Sequence, residues 1–195
     1  MTAYGVPPTR WLTVVLVTAS LAAAAENGRP REYWTAIASS DYTVPPGVQP
    51  YELLVEMNEL LASPDPVLRD EVAYGAAARW VYRKRLLSAD EQLRLVELWR
   101  GNLAAGIGER GTDSVLRRSF SALNLSLLAA LDNEAPFLSR SDFDGLLSAA
   151  LEYSRRERDT RGYDPAKGWM HAAGHTADLL KFLARNPRLA VADQR

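Results

Sequence analysis

Ser63-Pro64-Asp65-Pro66-Val67-Leu68-Arg69-Asp70-Glu71 stops one helix and starts the next. Proline is tolerated in the first turn of a helix but not in its interior, so the two prolines bracket a break. Before the break, Leu53, Leu54, Met57, Leu60 and Leu61 recur at i, i+3, i+4 and i+7 spacing and predict an amphipathic helix over 51–61. After it, 67–86 reads as the longest helix. The signature returns 48 residues on at Asp113-Ser114-Val115-Leu116-Arg117: an aspartate in a turn, then Val-Leu-Arg, then an Ala- and Leu-rich helix. An aspartate at a helix start with an arginine four residues later is the pattern of HEAT-type repeats, where it stitches neighbouring helix starts together. The spacing is close to that class.

Helical periodicity recurs outward from these two segments, and no stretch shows sustained strand alternation between hairpin turns. A short helix over 31–38 leads into the loop Thr43-Val-Pro-Pro-Gly-Val-Gln-Pro50. Ser88-Ala-Asp-Glu91 is a capping box, in which the serine oxygen and the glutamate satisfy each other's orphan backbone donors. It opens a helix to about 104. Thr112 or Asp113 caps a helix over 114–131, and Ser141 precedes one over 142–157. A long loop, 158–168, feeds the last full helix, 169–184, which Asn186-Pro187 ends; Val191-Ala-Asp-Gln-Arg195 reads as the start of another. The predicted class is all-α: stacked antiparallel helix pairs in a HEAT-like α-solenoid or α/α superhelix. Trp34, Trp80, Trp99 and Trp169 fall in predicted helices and read as core rather than as a sugar platform.

Apolar residues make up 47% of the 195 and charged residues 24%, the proportions of a globular chain. With 23 basic against 24 acidic residues there is no positive excess to mark a nucleic-acid or membrane-surface binder. No cysteine is present, which excludes disulfides, thiolate zinc sites and a cysteine nucleophile. Residues 11–25 form an uncharged apolar run after Arg10, ending in a small-x-small pattern at Ala23 and Ala25. As a helix it spans about 22 Å, short of the ~30 Å hydrocarbon core, so 1–25 reads as a secretory signal peptide rather than an anchor. The expected organisation is a leader (1–25), an N-terminal helix with a proline-rich loop (26–50), and a helical-repeat domain (51–195) cut short at its C-terminus. The mature chain is expected to be exported, periplasmic or secreted, without an integral membrane segment.

Three blocks carry a resemblance: Ser63–Glu71, Asp113-Ser-Val-Leu-Arg-Arg-Ser-Phe-Ser121, and Asp159-Thr-Arg-Gly-Tyr-Asp-Pro-Ala-Lys-Gly-Trp-Met-His-Ala-Ala-Gly-His-Thr-Ala-Asp-Leu-Leu180. They resemble the bacterial family catalogued as domain of unknown function 2785, over roughly 33–191. The resemblance implies helical-repeat architecture and candidate positions, but no reaction. It also implies that relatives continue past the point where this chain stops, and that many of them lack a leader.

The chain has two histidines, His171 and His175. Four residues apart on a helix, they lie within about 40° of each other on one face, with Asp178 and Phe182 in the same band. The apolar stripe of Trp169, Ala172, Ala173, Thr176, Leu179, Leu180 and Leu183 is centred elsewhere on the wheel, so both imidazoles are expected on the polar side. This spacing lets two imidazoles share one divalent cation. Glu109, Asp113, Glu157 and Asp159 are candidate third ligands, and Asp178 a partner that orients His175. Position 172 is alanine, so the metalloprotease H-E-x-x-H pattern and its general base are absent.

Ahead of this helix, Asp159, Arg161, Asp164 and Lys167 surround Gly162 and Gly168. The exposed amides, with Arg161 and Lys167, suit an anion; the structural alternative is that Asp159 and Arg161 pair while the glycines make turns. Gly106-Ile-Gly108 lacks the strand and the Gly-Lys-Ser/Thr ending of a nucleotide loop, and no G-x-S-x-G elbow accompanies the histidines. The expected function is a binding or scaffold module without a cofactor, for a protein or small-molecule ligand and not for nucleic acid. Its polar pocket would consist of Asp159, Arg161, Lys167, Trp169, His171, His175 and Asp178. The alternative is a metal-assisted hydrolase using His171 and His175.

Overall fold

A computed structural model describes residues 28–189, together with the isolated Met1. The leader predicted over 1–25 and the helix start predicted at 191 both fall outside the described residues. The chain is mostly helical. Helices α1 (Arg31–Ser39) and α2 (Pro50–Glu56) are followed by a single 3₁₀ turn, Leu60–Ala62. Helix α3 covers 67–83 as three abutting segments, Val67–Tyr74, Gly75–Ala77 and Ala78–Arg83. Then come α4 (Ala89–Asn102), α5 (Ser114–Glu134), α6 (Arg140–Arg156), strands β1 (Tyr163–Asp164) and β2 (Gly168–Trp169), and α7 (Ala172–Ala184).

Local chemistry accounts for most of these boundaries. Ser88 accepts from the backbone N–H of Glu91, whose carboxylate takes the Ser88 N–H at 2.8 Å, so the predicted capping box is present. A second box opens α6 two residues earlier than expected, because Ser139 rather than Ser141 pairs with the residue three ahead, Asp142. At α3, the Tyr42 hydroxyl donates to the Glu71 carbonyl at 2.7 Å. A Cβ on Gly75 would lie 2.1 Å from that hydroxyl, so glycine alone admits the approach. The hydrogen bonding on either side widens to i→i+5, as at Lys84 N–H to Arg79 O (2.7 Å).

Helix α5 is the centre of the fold. Fifteen of its 21 residues are buried, more than a one-sided amphipathic helix can hide, so it needs neighbours nearly all round. It packs most extensively against α7, and also against α4, α3 and the 3₁₀ turn. Trp34, Trp80 and Trp99 sink into the shared core with Leu53, Leu125, Phe143 and Leu146. By area, each buried indole contributes about 5 kcal/mol before conformational entropy is subtracted.

The last predicted helix needs correction at its start. Residues 163–169 form a short antiparallel hairpin in which Tyr163 faces Trp169 and Asp164 faces Gly168. Helix α7 begins only at Ala172. Side chains in a strand alternate, so Trp169 points outward while Met170 is fully buried in a small cluster with Val115, Leu116 and Ala172. Trp169 is therefore not a core residue: half of its surface is exposed.

Candidate functional site

Three buried charges lash the loops of this region to the helices. Arg69, on α3, is fully buried. It donates to the carbonyls of Ser63 (2.9 Å) and Lys167 (2.8 Å), and its guanidinium lies 4.7 Å from the centre of the Phe120 ring. Asp70 Oδ1 stands 2.7 Å from its Nε but off the hydrogen-bonding direction. Arg118, on α5, is equally buried and grips both oxygens of Glu157 (2.7 and 3.2 Å) while donating to the carbonyls of Ala105 and Gly106. Asp132 accepts the backbone N–H groups of Phe137 and Leu138, each at 2.9 Å, and the Asn186 amide at 2.8 Å. Groups so desolvated persist only when nearly every polar atom is matched.

The loop ahead of α7 is braced in the same way. Asp159 is almost fully buried and accepts from the Arg161 side chain (2.9 Å) and backbone (3.1 Å) and from the Gly111 N–H (3.0 Å). Although burial works against the charge, the bonds from Arg161 and the backbone hold its carboxyl below the usual range. Arg161 also reaches the Thr112 carbonyl at 2.6 Å. Lys167 binds both oxygens of Asp113 (2.6 and 2.8 Å), and Asp164 Oδ1 closes the hairpin turn by accepting from Ala166 and Lys167 N–H. Gly168, at φ +73°, sits where a Cβ would come 3.1 Å from Pro66 and 3.3 Å from Arg69 Nη2. Asp159, Arg161 and Lys167 thus spend their charges on fixing the hairpin, the structural alternative open at the sequence level. Asp113 makes no capping bond to α5 because its carboxylate is turned to Lys167.

The two histidines part company. His171 lies before the helix, at φ 49°, ψ 31°, a left-handed conformation that costs a non-glycine residue of order 1 kcal/mol or more. Its exposed ring rests over Gly174, where a Cβ would come 3.1 Å from the imidazole. His175 instead joins the buried stripe of α7 with Ala172, Thr176, Leu179 and Leu183. The expectation that both rings occupy the polar flank is therefore corrected for His175. The stripe is rotated towards it because Ser119, on the enveloped helix α5, supplies a partner: Ser119 Oγ lies 2.8 Å from His175 Nδ1. The Ser119 hydroxyl proton goes to the Met170 carbonyl, so its oxygen accepts from Nδ1–H. This fixes the neutral tautomer with a lone pair on Nε2. Burial first, then the neighbouring His171 ring, pushes the His175 pKa down to about 4.

Asp178 does not orient His175; it pairs with Lys181 at 2.6 Å. The four carboxylates considered as third metal ligands are held elsewhere: Glu109 by Thr112 and Ser114, Asp113 by Lys167, Glu157 by Arg118, Asp159 by Arg161. Among the described residues, no group of three or more His, Cys, Asp or Glu is placed to hold a metal ion. The buried Ser119, its proton committed to a carbonyl, is no exposed nucleophile for His175 either.

What the fold does assemble is a row of rings running from the surface inward. Tyr163 meets Trp169 edge-on at 5.3 Å between centroids, and Trp169 lies 4.9 Å from His171, tilted by 32°. His171 is 5.5 Å from His175, which stands edge-on to Phe120 at 5.0 Å. The first three rings are exposed and the last two buried. Sequence reasoning found Trp169 and both histidines but missed Tyr163, Ser119 and Phe120, which only the packing of hairpin and α7 on α5 brings together. No helix among the described residues is long and apolar enough to cross a membrane.

Neither a curated protein nor a solved structure matches the chain. One family model, Protein of unknown function (DUF2785), covers 103–195, so it takes in two of the three blocks that carried the resemblance and leaves Ser63–Glu71 outside. The matched residues 103–195 include α5, the clamped hairpin and the histidine-bearing helix, and this part of the chain is similar to the DUF2785 family.

Proposed function

We propose that this chain is an exported helical-repeat binding module that meets its ligand on the exposed strip of Tyr163, Trp169 and His171. The observation that carries the reading is Trp169, half exposed on a hairpin whose backbone is pinned from below by the buried Arg69. Exposing a large aromatic side chain costs stability, and clamping it removes the ordering entropy that a flexible loop would lose on binding. The surrounding charges neutralise one another within the protein, as Asp159 with Arg161 and Asp113 with Lys167 do, which favours an uncharged ligand with a ring face. HEAT-like stacking belongs to the same proposal. It is supported by the way Arg117, at the start of α5, reaches back to Glu59 at 3.0 Å.

Trp169 provides its own readout, since Trp34, Trp80 and Trp99 are buried. In a Trp11→Phe background, acrylamide quenching would be measured with maltotriose, an N-acetylated and C-amidated tri-proline peptide or cyclohexanol as probe. The reading expects at least one probe to shield Trp169 and Tyr163→Ala to weaken that shielding. If none of the three shields it, the strip is not the binding surface. Export is tested separately, by sequencing the N-terminus of the mature protein, which is expected to begin near Glu26.

A further inference from the structure

We infer that the groove between α4 and α6, away from the aromatic strip, binds a zwitterionic α-amino acid with a branched aliphatic side chain. The two helices touch only lightly, leaving an open groove of about 480 Å³ lined by Glu97, Arg100, Gly101, Ala104, Gly145 and Ala149. A smaller recess of about 100 Å³, which shares Arg100, Ala104 and Ala149 with it, lies between Leu103, Ile107 and Tyr153. The floor is kept low by residues without large side chains. At Gly145 a Cβ would come 2.8 Å from Arg100 Nη1, so the guanidinium lies directly on the backbone of α6.

The charges name the ligand. Glu152 and Arg156 satisfy each other at 3.3 Å. Among the described residues, Arg100 and Glu97 have no ion-pair partner and no side-chain hydrogen bond, although their backbones are fixed one helical turn apart on the same groove wall. The backbones of Glu97 and Arg100 differ by about 4.5 Å along the helix axis, so the two long side chains can converge on a molecule that carries a carboxylate and an ammonium on a single carbon. A dianion such as phosphate would meet Glu97 uncompensated, and an amine alone would meet Arg100. The planar Arg100 guanidinium takes the carboxylate in two parallel hydrogen bonds, and Glu97 takes the ammonium. The side chain then enters the apolar recess. That recess is smaller than the ~150 Å³ cavity known to hold a benzene ring, which favours the compact branched side chain of valine or leucine over that of phenylalanine.

Titration calorimetry of L-leucine into the full chain tests the assignment. Saturable one-to-one binding is expected, with N-acetyl-leucine and leucinamide each weaker by roughly tenfold or more, because each loses one charged hydrogen-bonding end. L-phenylalanine is expected to bind more weakly than leucine. Arg100→Met is expected to abolish leucine binding, and Glu97→Gln to weaken leucine while narrowing its advantage over N-acetyl-leucine. The ligand-side comparison stands on the unaltered chain even if a variant fails to fold. Absence of leucine binding to protein with a helical circular-dichroism spectrum would overturn the assignment. So would equal binding of the two capped derivatives, or leucine binding unchanged in a folded Arg100→Met protein.

Discussion

Acidifying the protein from pH 7 to pH 5 should add an unfavourable contribution to its folding at the side chain of His175. In the folded chain the imidazole is buried against Ser119 and Phe120 and its pKa is pushed down to about 4. In the unfolded chain it titrates near 6.5. Between these values the unfolded state binds the proton and the folded state does not, so stability is fully present above about pH 6.5 and declines as pH falls towards 4. Each pH unit crossed inside that window removes about 1.36 kcal/mol, and the loss between pH 7 and pH 5 comes to about 2 kcal/mol. That is a large part of a marginal folding free energy. The depressed carboxylates, such as Asp65 and Asp159, act only below their ordinary range near 3.8, outside this window. Urea unfolding at a series of pH values measures the effect directly. His175→Asn is the control, since its amide nitrogen can replace Nδ1 as donor to Ser119 but carries no titrating proton. The wild-type curve should fall by about 2 kcal/mol more than the variant's over the same pH range. Parallel curves would refute the claim that a neutral, buried imidazole packs this helix against α5.

Arg118→Met leaves Glu157 buried without its cation and should cost about 3–5 kcal/mol, read as a lowered urea midpoint with an unchanged m-value. Gly168→Ala places a Cβ in a left-handed backbone position against Pro66 and Arg69; a loss of about 1–3 kcal/mol is expected, together with a shift in Trp169 emission. Gly174→Ala should displace the His171 ring and change Trp169 emission while costing less stability than Gly168→Ala, because the atoms it meets belong to an exposed side chain.

Most helices were legible because their signals are local. The Ser88 capping box and the proline break at 64–66 each act within one or two turns, whereas the leucine-spaced helix expected over 51–61 ends at Glu56 and gives way to the 3₁₀ turn Leu60–Ala62. The α6 cap slipped by two residues because Ser139 and Ser141 are both competent caps. Asp142, three residues after Ser139, decides in favour of the first. Residues 163–170 failed for a different reason. A two-residue strand pair has too few side chains to show alternation, and Trp169 and Met170 fit a helical wheel as well as a strand. The wheel also misplaced His175, since it scores imidazole as polar and cannot see a serine donor–acceptor 56 residues away on α5.

By itself, the order of residues determined a mainly helical chain without thiol chemistry, most of the breaks between its rods, and the pair of histidines near its end. Those outcomes follow from backbone capping, proline sterics and apolar periodicity, which operate over a few residues. Packing alone decided that Arg69, Arg118 and Asp132 would be buried as clamps, that Trp169 would face solvent, and that one imidazole would be sealed against Ser119 while the other stayed exposed. The burial of a charge or a ring depends on partners far off in the chain, and only the folded arrangement brings them within hydrogen-bonding distance.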